Sequence, residues 1–147
     1  MNEIVRAGPD HLDETARLFD LYRQFYDCEP DLPLARDYIA DRMAADDSII
    51  WIALDGDQGR GFVQCYPTFC SVQAIRRWVL YDLYVQADVR GRGLGERLMN
   101  AARDGARVDG AERIDLETAH DNLVGQALYE KLGYRRDEHF FSYSLRL

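Results

Sequence analysis

The stretch from Tyr81 to Thr118 limits the possible folds more than any other part of the chain. A β-branched and aromatic run, Arg77 to Val85 (RWVLYDLYV), leads to glycines at 91, 93 and 95. Gly93 to Arg107 then places Leu94, Leu98, Ala101, Ala102 and Ala106 at helical spacing, and Arg113 to Thr118 (RIDLET) returns to strand character. Strand, helix and strand in that order read as a crossover unit. The fold class is therefore α/β with a mixed sheet.

The remainder adds mostly antiparallel neighbours. Glu3 to Ala7 is a short strand ended by Gly8-Pro9, and Asp10 is the expected N-cap of a helix with Asp13 and Glu14 in its first turn. Leu12, Ala16, Phe19, Tyr22 and Tyr26 form its inward stripe, which ends before Glu29-Pro30. A second helix is expected from Pro33, with Ala35, Tyr38, Ile39 and Met43 inward. Ser48 to Leu54, Gly61 to Phe69 (with Pro67 marking a bend or an edge) and Arg77 to Val85 read as a three-stranded antiparallel meander. Asn122 to Leu132 is a helix closed by Gly133 as its C′ residue, and Tyr134 to Leu147 reads as one or two terminal strands with Phe141, Tyr143 and Leu145 alternating. The predicted order is β-α-α-β-β-β-α-β-α-β-β in a single domain spanning 1–147.

Composition narrows the function. No apolar run approaches the roughly 18 residues of a membrane span, and Met1 to Pro9 carries Glu3 and Arg6 rather than a signal-peptide core. The expectation is a cytoplasmic protein with no membrane partner. Cys28, Cys65 and Cys70 are too few for a disulfide framework, and His11, His120 and His139 lie far apart, so no metal site is expected. The net charge is −8, and residues 1–73 hold 14 acids and 6 bases, so the surplus is all in the first half. That disfavours nucleic acid, which needs a basic stripe, and suits a cationic substrate or a plain solvated surface.

The chemistry concentrates in Arg90-Gly-Arg-Gly-Leu-Gly95. Glycines let successive backbone N–H groups face one point, the following helix start adds partial positive charge, and Arg90 and Arg92 add formal charge: a cradle for phosphate oxygens. The third glycine comes one residue too early for a dinucleotide fingerprint, and the Gly-Lys-Ser/Thr of a Walker loop is absent. A tight turn into a helix with no ligand is the bland alternative.

Arg90 to Gly95 resembles the Arg/Gln-x-x-Gly-x-Gly/Ala signature of the GNAT superfamily of acetyl-CoA-dependent N-acetyltransferases. Asp82-Leu-Tyr-Val85 resembles the strand before that signature. Asn122 to Tyr134 (NLVGQALYEKLGY) resembles the second motif, Asn…Ala-x-x-Tyr-x-x-x-Gly-Phe/Tyr. Leu21 to Tyr26 (LYRQFY), Tyr81 to Val85 and Ala127 to Tyr134 are most similar to the yeast histone and polyamine acetyltransferase group. The resemblance implies a mixed, mostly antiparallel sheet of about seven strands flanked by helices, with a V-shaped splay between the fourth and fifth.

It also implies roles. Acetyl-CoA would lie in the splay. Amides of Arg90, Gly91, Arg92, Gly93, Leu94, Gly95 and Glu96 would hold the pyrophosphate, and Leu83, Tyr84 and Val85 would pair with the pantetheine arm. The Val85 amide would face the thioester oxygen, and Asn122 would contact the arm. Tyr129, which its neighbours Leu128 and Leu132 would otherwise mark as a core aromatic, would protonate the departing thiolate. Asp82 or Glu117 would take the proton of the amine. Tyr22, Phe25, Tyr26, Asp27, Glu29 and Asp31 would form the acceptor wall. The acceptor is expected to be a small primary amine, a polyamine or an amino acid, with a protein amine as an alternative, and the terminal strands would form a homodimer. The rival readings are a catalytically silent acyl-CoA-binding module and a nucleotide-phosphate enzyme.

Overall fold

The computed structural model describes residues 2–147, which divide into two compact units, one ending at Glu117 and one running from Thr118 to Leu147. The first holds β1 (Glu3–Arg6), α1 (Leu12–Phe25), α2 (Leu32–Ala45), β2 (Ile49–Asp55), β3 (Gln58–Cys70), β4 (Ile75–Val85), α3 (Leu94–Val108) and β5 (Arg113–Leu116). The strands lie in sequence order in one sheet. The first three pairings are antiparallel, and β4–β5 is parallel. The predicted crossover is therefore the only parallel connection among the described residues.

Alternation along β3 assigns the faces. Phe62 meets Phe19 of α1 edge-on at 6.3 Å, whereas its neighbour Gly61 faces Leu98 of α3. Successive strand residues point to opposite sides, so α1 with α2 and α3 cover opposite faces. Leu18, Phe19, Ala35, Ile39, Ile50, Ile52 and Phe62 form a buried cluster on the first face. Each large member contributes roughly 1.5–3 kcal/mol by leaving water. On the other face Trp51 and Trp78 sit 6.0 Å apart.

Boundaries differ from expectation for local reasons. Pro9–His11 forms a short 3-10 turn, and α1 begins after His11, whose Nδ1 accepts from the Gly8 amide, so Asp10 is not the N-cap. Asp31 caps α2 by accepting from the Leu34 amide at 3.1 Å. Pro67 lies beyond Cys65, the last β3 residue to pair with β2, so one side of β3 needs no donor there.

The second unit holds α4 (Leu123–Lys131), whose C-terminus is followed by Gly133 at φ +94°, as expected for a C′ glycine. The sheet has five strands among the described residues, not about seven: Tyr134 to Leu147 contains none. Alternation at Phe141, Tyr143 and Leu145 makes a strand only where a neighbouring edge supplies ladder bonds, and this segment pairs with no described strand.

Close packing of α3 gives a first prediction. A Cβ on Gly105 would run into the edge of the Trp51 ring. Alanine normally gains about 1 kcal/mol over glycine inside a helix; here the clash reverses the sign. Gly105→Ala is expected to destabilise by about 1–2 kcal/mol in a urea melt, and an unchanged or higher midpoint would contradict the packing.

Candidate functional site

The site begins with a change in the neighbours of β4. Pairing with β5 runs from Arg77↔Arg113 to Leu80↔Leu116 and stops, while β4 continues to Val85. The stop coincides with a β-bulge. Gln64 opposes Asp82 and Cys65 opposes Leu80, so Tyr81 is an extra residue. Bulges bend and twist the strand that carries them. Beyond Leu80, one edge of β4 is uncovered by any described strand.

Backbone direction on that edge follows from one bond. The Gln86 amide donates to the Arg60 carbonyl at 2.9 Å, which makes Gly61↔Val85 a non-hydrogen-bonded pair. The N–H and C=O of Val85, and by alternation those of Leu83, turn away from β3 toward the uncovered edge. Tyr84, between them, faces β3: a Cβ on Gly61 would come within 2.8 Å of the Tyr84 carbonyl oxygen. Of the three residues expected to pair with the cofactor arm, Leu83 and Val85 thus turn their backbone groups to this edge and Tyr84 turns its own toward β3.

The glycine loop opens the head of α3. Gly91 and Gly93 both have φ +78°, a left-handed conformation that favours glycine. A Cβ built on either meets nothing within 4 Å, so open space lies beside both positions. Leu94 starts α3, with Gly95 and Glu96 in its first turn, where helix geometry aims the backbone amides toward the loop. Arg92 is exposed. Arg90 does something sequence reasoning missed. Its Nε donates to the Val85 carbonyl at 2.8 Å, and its guanidinium lies 5.4 Å from the Tyr84 ring and 5.8 Å from the Phe25 ring.

On the α1 face lies Asp82. It is buried, and Gln64 Nε2 donates to its Oδ2 at 2.7 Å. Burial pushes its carboxyl above the ordinary range, while hydrogen bonds from Gln64 and Tyr22 pull the other way. The Tyr22 hydroxyl has a single proton to divide between Asp82 and the Tyr81 carbonyl, whose oxygen lies 3.1 Å away; burial first, then the Asp82 charge, raise its pKa. Cys65, next along β3, is buried with its thiol pushed up to about 12, chiefly by desolvation. Tyr66 shares a 2.6 Å hydroxyl–hydroxyl hydrogen bond with Tyr38 and packs its ring on Tyr81.

The acceptor-wall candidates separate. Tyr22 and Tyr26 stack edge-on at 5.1 Å, and Tyr22 reaches Asp82. Asp27 and Glu29 are exposed. Asp31 is occupied as the α2 cap, and its amide donates to the buried Asp20 carboxylate, which ties the α1–α2 loop to α1. Glu117 is exposed one residue past Leu116, the last residue of β5 to pair.

In the second unit, Asn122 caps α4. Its Oδ1 accepts from the Gly125 amide at 3.1 Å and its Nδ2 donates to Thr118 Oγ1 at 3.0 Å. Tyr129 is half-buried on α4, its ring 6.2 Å from that of Tyr134. Among the described residues, no group of three His, Cys, Asp or Glu side chains could hold a metal ion, and no helix is long and apolar enough to cross a membrane.

A strand that loses its parallel neighbour half-way, next to an open glycine turn, is the geometry the sequence motifs imply. The profile of the Acetyltransferase (GNAT) family matches residues 15–134. The chain belongs to this family. It is 40% identical over 132 residues to an uncharacterized N-acetyltransferase, YhfO, of Bacillus subtilis, which covers 90% of this chain and 89% of that one. The crystal structure of a probable acetyltransferase superposes with a TM-score of 0.92 at 36% identity, covering 99% and 97% of the two chains. The CoA complex of the aminoglycoside N-acetyltransferase AAC(6′)-Iy shares the GNAT fold, with a TM-score of 0.84 at 18% identity, over 100% of this chain and 96% of that one.

The buried carboxyl of this GNAT chain sets a stability prediction. Its folded pKa is raised, so the ionised form is less favourable in the fold than in the unfolded chain. The resulting penalty is absent below the unfolded value near 4, grows as pH rises through the folded value, and is complete above it. Asp82→Asn is therefore expected to raise Tm at pH 8, with the gain vanishing near pH 4. A gain that grew on acidification would contradict this environment.

Proposed function

We propose that the chain is an acetyl-CoA-dependent N-acetyltransferase, a single domain over residues 1–147, that transfers the acetyl group to a primary amine by direct attack. The observation that carries the reading is the uncovered edge of β4. Leu83 and Val85 turn backbone groups outward along it, the Val85 carbonyl also accepting from Arg90, beside a glycine turn with open space at Gly91 and Gly93, while Asp82 lies on the same strand. An extended chain carrying amides and ending in phosphates fits such a strand edge and such a helix start.

Acetyl-CoA supplies the activated acyl carbon. Leu83 and Val85 hold the pantetheine arm, and the amides from Arg90 to Glu96 hold the pyrophosphate with Arg92 beside them. The Val85 amide donates to the carbonyl oxygen as negative charge develops there. Asp82 takes the proton that an ammonium must lose before its nitrogen can attack; its burial makes it a better acceptor than an ordinary carboxylate. Glu117 is the second candidate for this step. As the carbon–sulfur bond breaks, the Tyr129 hydroxyl gives its proton to the departing sulfur, and Asn122 serves the arm. Cys65 stays protonated at neutral pH, which disfavours an acetyl-cysteine route.

The acceptor is a small amine, polyamine or amino acid, and a protein amine or a substrate like those of the yeast histone and polyamine group remains within this class. Tyr22 and Tyr26 supply an aromatic wall for a cation, and Asp27 and Glu29 supply negative charge at its rim. A homodimer is supported by Phe140, Phe141, Tyr143 and Leu145, all more than four-fifths exposed in the terminal segment. The three free cysteines suit a cytoplasmic location.

Calorimetry with acetyl-CoA, followed by thiol release over an amine panel, tests the reading. Tight binding without turnover would leave the silent module, and binding of ATP but not CoA would overturn the assignment. Gly93→Val places a β-branched residue at φ +78° and is expected to weaken acetyl-CoA at least about tenfold, with circular dichroism unchanged. Tyr129→Phe is expected to lower kcat about tenfold or more while the KM for acetyl-CoA stays within roughly twofold; an unchanged kcat would make Tyr129 structural.

A further inference from the structure

Gln64 is completely buried in the middle of β3, a position that strand alternation normally gives to an apolar side chain. One end of its carboxamide donates to Asp82 Oδ2 at 2.7 Å; the other end, Oε1, is buried without a hydrogen-bond partner. A buried acceptor left unpaired costs roughly 1–3 kcal/mol, and a core that tolerates one calls for an explanation. Methionine would fill the same volume without that penalty.

We propose that Gln64 is a positioning residue for acetyl transfer: its amide fixes the Asp82 carboxylate on the sheet face and keeps it ionised enough to accept the proton of the amine. This rests on the reading of Asp82 as the base. The groups that face Asp82 are few. Tyr22 comes from α1 with Tyr26 against it, Gln64, Cys65 and Tyr66 come from β3, and Tyr38 of α2 reaches it only through Tyr66. Among the described residues only Gln64 and Tyr22 favour its charged form, and no arginine, lysine or histidine among them does so.

That absence decides what kind of partner the carboxylate needs. A guanidinium at 2.7 Å would hold it firmly ionised and make it a poor proton acceptor. With no donor at all, burial would push it further toward the protonated form, which cannot accept a proton. A neutral amide is intermediate: it offsets part of the desolvation and leaves the carboxylate basic. The β4 bulge brings the two residues together. With Tyr81 as the extra residue, Gln64 and Asp82 sit directly opposite each other on neighbouring strands.

The test is the pH dependence of kcat/KM in Gln64→Met and Gln64→Glu, with Asp82→Asn as control. Losing the donor should move the acid limb to higher pH, so activity at pH 6 falls at least about threefold more than at pH 9. Gln64→Glu, which keeps the shape and adds a competing carboxyl, should move it further in the same direction. In parallel, the carboxyl carbon resonance of Asp82 should titrate at higher pH in Gln64→Met, a readout independent of turnover. A Gln64→Met enzyme whose rate drops equally at every pH, with the Asp82 resonance unmoved, would make Gln64 merely structural and overturn the inference. An Asp82→Asn enzyme that keeps the wild-type limb would instead remove Asp82 as the base.

Discussion

Beyond Leu80, β4 has a strand on one side only, and every feature of the site depends on this. A backbone edge in a sheet interior is consumed by its neighbours; an exposed outer edge invites pairing with another chain. Here the uncovered segment begins where a parallel partner ends, and the next turn brings the chain into a glycine loop and a helix start. The bulge at Tyr81 falls at this break. It shifts the register against β3 and places Asp82 opposite Gln64, just where the ladder with β5 stops. A single extra residue thus sits between the open edge and the buried carboxyl.

The environment of Asp82 shows how burial and hydrogen bonding divide the work. Burial raises its proton affinity, and two neutral donors temper the rise. The aromatic residues around it, Tyr22, Tyr66 and Tyr81, do more than fill space: Tyr22 ties α1 to the bulged residue through the Tyr81 carbonyl, so the helix that carries the candidate acceptor wall is tethered to the bulge itself. Stability and chemistry pull against each other there, as they do where a charged group is kept in a core for its reactivity.

Much of this was legible in the sequence because it is written in local patterns. Gly91, Gly93 and Gly133 announce left-handed turns, Leu94 to Ala106 repeats at helical spacing, and the motifs after Val85 and from Asn122 identify the family. What was not legible depends on pairing. The alternation of Phe141, Tyr143 and Leu145 could not reveal that no described strand would lie beside it. Nothing in Gln64 or Tyr81 marks a bulge, since the register between two strands is a property of both. Asp31 resembled its acidic neighbours on the wall until the cap of α2 took its side chain, and Asn122 likewise has local work at the start of α4.

Arg90 joins these threads. As a motif residue it counts as positive charge beside a phosphate cradle, yet its guanidinium lies against Tyr84 and Phe25 and its Nε holds the Val85 carbonyl. That carbonyl is one of the acceptors on the edge that no described strand covers. Its oxygen has two lone pairs, so the arginine fills one hydrogen-bond position there and leaves the other. The same guanidinium lies against Phe25, at the end of the helix that carries Tyr22. One side chain from the glycine loop therefore touches the strand edge and the first helix together, a juxtaposition that local sequence could not show because Phe25 comes from a different element.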